Sequence, residues 1–471
     1  MVSTAASDTR PESEYESQSA LERFFAIRER GSTVRTEVLG GVVTFLTMCY
    51  IVFVNPAILS AAHMPVGAVT VATALAAAVA TVAMGLFTNL PFALASGLGL
   101  NAIVAFDLIL GRKLAWPVAM SCIVIEGVLA FLLVLGGLRE AIMRAIPHEI
   151  KLSIGVGIGL FIALVGLRDA GITVNDPATG IGLGELTSGP ALVSLGGLLV
   201  AVVLTARRVR GAILLGILAA TALGLIFGVL DGPSKVAELP SSSSFSTIGD
   251  ALKPSNLGDA ITWALVPVIF TLFMSDFFDT VGTAVAVSTQ GGLLDKDGQV
   301  PQLKRMLLVD SGSAAFGGAM GVSSVTTYVE SGAGVGEGAR TGLASLVTGG
   351  LFVLTIFFVP LIAVVAQGVT VGQTTFYPAV APALIMIGYL MLRLVADVDW
   401  QRPEAGIPVF FVIVGIPMTF SISAGIGLGV LSFVAVMAGT GRSRQVHPLM
   451  WALVPLFIAF FASDWLSAHV F

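Results

Sequence analysis

Stretches of roughly 20 apolar residues recur along almost the whole of this 471-residue chain, and one such stretch is what an α-helix needs to cross the hydrocarbon of a bilayer. The charge lies mostly in short segments between the runs. Only 11% of residues are charged and 56% are hydrophobic, where a soluble domain carries about 25% charged residues. Mean hydropathy is +0.95. A membrane β-barrel would show short alternating segments instead, so the fold class is an all-α polytopic membrane protein. The net charge of −5 offers no basic face for nucleic acid. Cys49 and Cys122 both sit in apolar runs, which argues against a disulfide framework. His63, His148, His447 and His469 show no metal-ligand spacing, so neither a metal nor a cofactor is expected. The first 35 residues lack an apolar h-region, so no cleavable signal peptide is expected there.

Fourteen spans are predicted, seven plus seven. The first set lies near 38–59, 67–88, 92–110, 114–136, 150–168, 190–206 and 211–230. The second lies near 260–288, 304–320, 324–338, 341–366, 376–396, 405–421 and 424–440. A polar stretch at 231–257 separates them. A further apolar run, 448–467, either crosses again or lies against the bundle. Residues 1–18 read as a disordered tail within a polar segment 1–37. In "SALERFFAIRER" (19–30), Leu21, Phe24 and Phe25 are helically spaced among charges. That suits either a short helix on the membrane surface or a solvated extension of the first span.

Basic residues give the orientation. Arg23, Arg28, Arg30 and Arg35, then Arg207, Arg208 and Arg210, then Lys296, Lys304 and Arg305, then Arg442 and Arg444, all fall on one side of a fourteen-span chain. The positive-inside rule places that side, and the amino terminus, in the cytoplasm. Arg112, Lys113 and Arg168 fall on the other side. An odd number of spans per half makes the halves inverted repeats, whose substrate sites lie near the midplane on interrupted helices. The third and tenth spans supply such a pair: "PFALASGLGLNAIVAF" (91–106) and "GVSSVTTYVESGAGVGEG" (321–338). Each reads as a short extended piece followed by a half-helix, tolerated at that depth where backbone lines a cavity.

In "FTLFMSDFFDTVGTAV" (270–285), Asp276, Asp279, Thr280 and Thr283 are spaced i, i+3, i+4, i+7 and share one helical face. Intramembrane charge costs at least ~2.5–3.5 kcal/mol, so these acids mark a pathway, a proton relay or an internal ion pair. Glu330 sits at the second half-helix, and neither segment holds a Lys or Arg to neutralise the acids. At least one of the three is expected to hold a proton, and such a carboxyl can pair with N–H donors of a neutral heterocycle. The plainer reading is a hydrogen bond from Asp276 or Asp279 to a neighbouring unwound segment. Glu126 and Asp310 also lie in apolar surroundings, each alone, and read as structural. The Asn101 amide can both donate and accept, as a nucleobase edge requires, or can tie two helices together. "GAGVGEGARTG" lacks the ending of a phosphate-binding loop.

Several motifs together resemble the AzgA-type purine permeases of the nucleobase–ascorbate transporter group: "VVTFLTMCYIVFVNPAILS" (42–60), "ASGLGLNA" (95–102), "DFFDTVGT" (276–283), "GGLLDKDGQVPQLKRMLLVDS" (291–311) and "TTYVESGAGVGEGARTGL" (326–343). The resemblance covers roughly residues 20–440. It implies proton-coupled import of adenine, guanine or hypoxanthine across the cytoplasmic (plasma) membrane by alternating access. It implies inverted seven-span repeats whose broken third and tenth helices carry short β-strands, about 92–96 and 322–326. A core domain would comprise 38–136 and 258–366, and a gate domain 150–230 and 376–440, the gate often mediating a homodimer. The base would be contacted by Asp276, Asp279, Glu330 and Asn101, with Thr280, Thr327, Ser96 and Phe277 completing the candidate set and Phe278 or Tyr328 as further aromatic walls. Asp276, Asp279 and Glu330 are the proton-coupling candidates. Purine nucleobase, proton and membrane lipid are the expected partners. Relatives usually read "APGMGLNA", so Ser96 stands where they have proline. An anion transporter on the same general fold is the alternative, disfavoured because an acid-lined site repels anions. An enzyme would need a nucleophile–base pair or metal ligands that no His, Cys or Ser constellation supplies.

Overall fold

The computed structural model describes residues 19–137, 147–176, 178–294, 300–372 and 374–469, with the side chains of His148, Phe278 and 463–469 excepted. The expected disordered tail (1–18) and Lys296 lie outside the described residues.

The chain opens with α1 (Ala20–Phe25), a single capped turn. Ser19 and Glu22 form a reciprocal capping box, and the Ser19 N–H and hydroxyl hold the half-buried Glu22 carboxylate below its ordinary pKa. Of the two readings of this segment, extension of the first span is not observed. Phe25 and Ile27 tuck against Leu343 while Phe24 stays exposed.

The first predicted span is two helices in line, α2 (Val34–Met48) and α3 (Ile51–Ala61), broken at Cys49–Tyr50. Then come α4 (Val66–Thr88), β1 (Leu94–Ser96), α5 (Leu98–Ala102) running into a π-helical stretch Ile103–Gly111, and α6 (Trp116–Leu135). Next are α7 (His148–Asp169), a small hairpin β2–β3 (Thr173–Val174, Gly182–Leu183), α8 (Gly189–Ala206) and α9 (Ala212–Ile226). The polar stretch 231–257 forms short 3₁₀ turns and leads into α10 (Pro254–Ala260). The second half contains α11 (Val266–Gly291), α12 (Leu303–Met320), β4 (Val325–Thr327), α13 (Ser331–Gly336), α14 (Gly342–Thr355), α15 (Val359–Val365) and the hairpin β5–β6 (Val369–Val371, Thr374–Phe376). It closes with α16 (Ala381–Leu392), α17 (Pro403–Thr419), α18 (Ile422–Gly439) and α19 (Pro448–His469).

Every predicted segment thus holds a helix or a strand–helix pair. Among the described residues, eight helices are long and apolar enough to cross a membrane. The third and tenth segments fall short of that length because each spends its first residues as strand. β1 and β4 pair antiparallel, Leu94 opposite Thr327, Ala95 opposite Thr326 and Ser96 opposite Val325. Two equivalent pieces of an inverted pair must meet in this sense. The strands are shorter than expected and begin at 94 and 325 rather than 92 and 322. Leu90–Ala93 instead approaches the strand as irregular backbone held by the Ser331 and Ser345 hydroxyls.

Around this pair α4 packs on α12 and α14, α2 on α13 and α14, and α6 on α12. Elsewhere α7 packs on α16 and α17, α8 on α9, and α17 on α18. The run 448–467 lies in α19, which packs along α18 with Phe457 fully buried. The hairpins β2–β3 and β5–β6 were not expected from the sequence.

Glycine sets the closest approach. On α13, a Cβ at Gly334 would lie 2.2 Å from Thr44 Oγ1 and 2.3 Å from the Gly40 carbonyl oxygen of α2. The "GAGVGEG" run therefore seats the half-helix directly on α2. Gly334→Ala should destabilise the protein by ~1–3 kcal/mol, the usual cost of overpacking. Size-exclusion profiles after a heating series should show a lower melting temperature, and an unchanged one would mean that α13 can back away from α2.

Candidate binding site

A strand inside a membrane bundle has polar backbone on both edges, and each group needs a partner. The β1–β4 pair satisfies one edge. On the outer edge of β4, Asp310 of α12 acts as a backbone mimic. Its Oδ1 accepts from the Thr327 N–H at 3.0 Å and the Thr327 hydroxyl at 2.8 Å, and its Oδ2 accepts from the Thr280 hydroxyl at 2.7 Å. Thr280 and Thr326 hydroxyls lie 2.7 Å apart. Asp276, only 2% exposed, accepts from the Ser324 hydroxyl at 3.1 Å. Helix α11 is therefore laced to β4 along the polar face read from its sequence.

On the β1 side, the Ser96 hydroxyl donates to Asn101 Oδ1 at 2.6 Å and also contacts the Val322 carbonyl. Tyr328 reaches across to donate to the Ser96 carbonyl at 2.6 Å. The Ser96 hydroxyl thus cross-links the strand to its half-helix. The Asn101 amide nitrogen is buried with no hydrogen-bond partner among the described residues, leaving two N–H donors unused there. Glu330, half-buried at the start of α13, accepts from the Tyr50 hydroxyl, and its carbonyl faces the Thr47 hydroxyl at 3.5 Å. The break between α2 and α3 thus places Tyr50 beside the acid. Asp279 is exposed, in the electrostatic field of Asp310 and Glu330. None of Asp276, Asp279 and Glu330 forms an ion pair with a Lys or Arg among the described residues.

The candidates therefore separate by what their polar atoms are doing. Asp276, Asp279, Thr280, Ser96, Asn101, Thr327 and Glu330 converge on the strand pair. The hydroxyls of Thr280, Thr327 and Ser96 are committed to internal partners, whereas Asn101 Nδ2 and the Asp279 carboxylate are not. Phe277 is buried, its ring centroid 5.6 Å from that of Phe273. The Phe278 side chain lies outside the described residues, and Tyr328 serves the strand. Residues that sequence reasoning passed over are Tyr50, Ser324 and the strand-holding role of Asp310. The cue for Asp310 was a lone acid in the apolar run "MLLVDSGSAAFGG". Nothing in "TMCYIVFV" singles out Tyr50. An apolar crevice of about 410 Å³, bordered by Phe45, Cys49, Phe53, Leu218, Phe358 and Leu361, is lined by none of the candidates.

Asp310→Ala would strand the Thr327 N–H inside the bundle, a loss of ~1–3 kcal/mol for a buried unsatisfied group. The variant should melt earlier and lose ligand binding along with stability. A variant with wild-type melting temperature would show that β4 needs no support from α12.

The sequence matches the permease family model (Xan_ur_permease) over residues 35–428. It is 40% identical over 451 residues to the guanine/hypoxanthine permease PbuG of Bacillus subtilis, covering 94% of this chain and 99% of that one. It is 41% identical over 441 residues to the adenine permease AdeP of Escherichia coli, covering 94% and 96%. Among solved structures, the transmembrane domain of the cyanobacterial bicarbonate transporter BicA superposes with a TM-score of 0.56 at 13% identity, covering 83% of this chain and 97% of that one. The murine anion transporter Slc26a9 in its inward-facing state gives 0.57 at 12%, covering 86% and 68%. These two share the fold. The chain is an integral membrane transporter and belongs to the permease family, within the nucleobase–ascorbate transporter group.

Proposed function

We propose that the protein imports purine nucleobases together with protons across the cytoplasmic membrane. The observation that carries this reading is the gathering of Asp276, Asp279 and Glu330 about the paired strands with no Lys or Arg paired to them among the described residues. A neutral purine presents N–H donors and ring-nitrogen acceptors on one edge. Asp279 and Glu330 would accept from the N–H groups, and the unused N–H of Asn101 would donate to a ring nitrogen. A carboxyl that must lose its charge in a dry site can carry a proton with the base. The names of the similar permeases, for guanine/hypoxanthine and for adenine, support a purine substrate. The anion reading is not favoured: the anion transporters share only the fold at 12–13% identity, and an acidic site repels anions.

In this reading the chain crosses the membrane fourteen times with its amino terminus in the cytoplasm. The helices around the strand pair form a core domain, and α7–α9 with α16–α18 form a gate. Polar contacts link these groups. Arg210 pairs with Glu337 just past α13, and the Ser421 hydroxyl donates to Asp107 at 2.7 Å at the end of the third segment. By the orientation above, the first is cytoplasmic and the second external. Alternating access would loosen them in turn. A homodimer through the gate helices belongs to the same proposal.

Uptake of radiolabelled adenine, guanine and hypoxanthine into proteoliposomes tests it. An inward proton gradient should drive accumulation of at least one base, and Glu330→Gln should abolish accumulation while the protein still reaches the membrane. Accumulation by that variant at the wild-type level would remove Glu330 from the coupling step. Equilibration blind to the gradient would make the protein a uniporter.

A further inference from the structure

Glu126, halfway along α6, was read from the sequence as a lone structural acid. Its setting is unusual. It is 0% exposed, and neither carboxyl oxygen has a hydrogen-bond partner among the described residues. A structural carboxylate in an apolar bundle collects donors, as Asp310 does; an ionised carboxylate with none is very costly to bury.

The helix seam that encloses it is dry because glycines bring the backbones together. A Cβ at Gly127 would lie 2.3 Å from the Ala315 nitrogen of α12, and one at Gly318 would lie 2.8 Å from the Val124 nitrogen of α6. Glu126 is thus held beside α12, within the field of Asp310. On the elements packed against α6, the charged and titratable groups are Asp276 and Asp279 on α11, Lys304, Arg305 and Asp310 on α12, Asp107 and Arg112 on the π-helical stretch, and Asp250, Lys253 and Asp259 near α10, Lys253 being paired with Asp250. Of these, Asp310 acts on Glu126, and Glu126 in turn acts on Asp276. Arg112 is engaged by Asp107 at 3.0 Å and by the ring of Phe460.

We propose that Glu126 is a proton-binding residue of the transport cycle, holding a proton in the state described here and releasing it to water only in a state where the seam between α6 and α12 opens. Binding forms one O–H bond at Glu126 and release breaks it, the proton passing to and from water, so no further reactant is needed. The inference rests on the proton-coupled reading above.

The test is purified protein in proteoliposomes, with Glu126→Gln. Purine counterflow, which needs no gradient, should be retained. Gradient-driven accumulation should fall towards the equilibrium level, and its pH profile should flatten. Glu126→Asp, which keeps the acid, should restore part of the accumulation. In parallel, infrared difference spectra of wild type between acid and alkaline pH should contain a protonated-carboxyl band that Glu126→Gln removes. Should Glu126→Gln fail to fold, Glu126→Asp should shift that band. Wild-type accumulation and pH profile in a folded Glu126→Gln variant, or carboxyl bands unaffected by either substitution, would overturn the proposal. If the wild type shows no gradient-driven accumulation, the coupled reading fails on its own, and the infrared bands still decide whether Glu126 binds a proton.

Discussion

Three residues of antiparallel strand, Leu94–Ser96 against Val325–Thr327, are the element on which this structure depends. A bilayer interior offers no water to backbone N–H and C=O groups, so extended chain survives there only if every polar edge is met by protein. One edge is met by the partner strand and another by Asp310, which accepts from both the N–H and the hydroxyl of Thr327. Once strands occupy those levels, the helices that follow them must begin near mid-bundle, and their starts can carry Asn101 and Glu330 to one place. The acids gather because the strands meet.

This arrangement also accounts for where the chain uses glycine. A half-helix as short as α13 buries little side-chain area of its own, so it gains contact by lying directly on its neighbour. Gly334 against Gly40 achieves this on α2, and Gly127 against Ala315 does the same between α6 and α12. Close-packed seams exclude water, which makes each unpartnered polar atom within them costly. Of the buried side-chain atoms without a partner among the described residues, two bear on function: the Asn101 amide nitrogen, beside the strand pair, and the Glu126 carboxyl, on α6. The first is a donor waiting for an acceptor, the second an acid without donors. Both fit a molecule that handles a neutral base and a proton together.

Much of this was legible in the sequence because membrane segments announce themselves by length. All fourteen apolar segments hold helices, most with ends within a few residues of those expected. The two broken segments were readable because "ASGLGLNA" and "VESGAGVGEG" combine glycine with positions too few for a full span. The i, i+3, i+4, i+7 spacing from Asp276 placed its polar stripe toward β4. What stayed hidden depends on contacts between distant segments. Asp310 looked solitary because its partners, Thr280 and Thr327, lie on other elements, and Tyr50 matters only because α2 breaks beside α13. The two small hairpins left no mark, since a strand of two or three residues is too short to show periodicity.

In the proposed reading, the face formed by Asn101, Asp279 and Glu330 at the strand pair holds the base. A cryo-electron microscopy map of the protein with adenine, guanine or hypoxanthine would test this. Planar density is expected at the β1–β4 pair, within hydrogen-bonding distance of the Asn101 amide and of at least one of the two carboxylates. Density in the apolar crevice between Phe53 and Phe358 instead, with the strand pair unoccupied at saturating base, would contradict it.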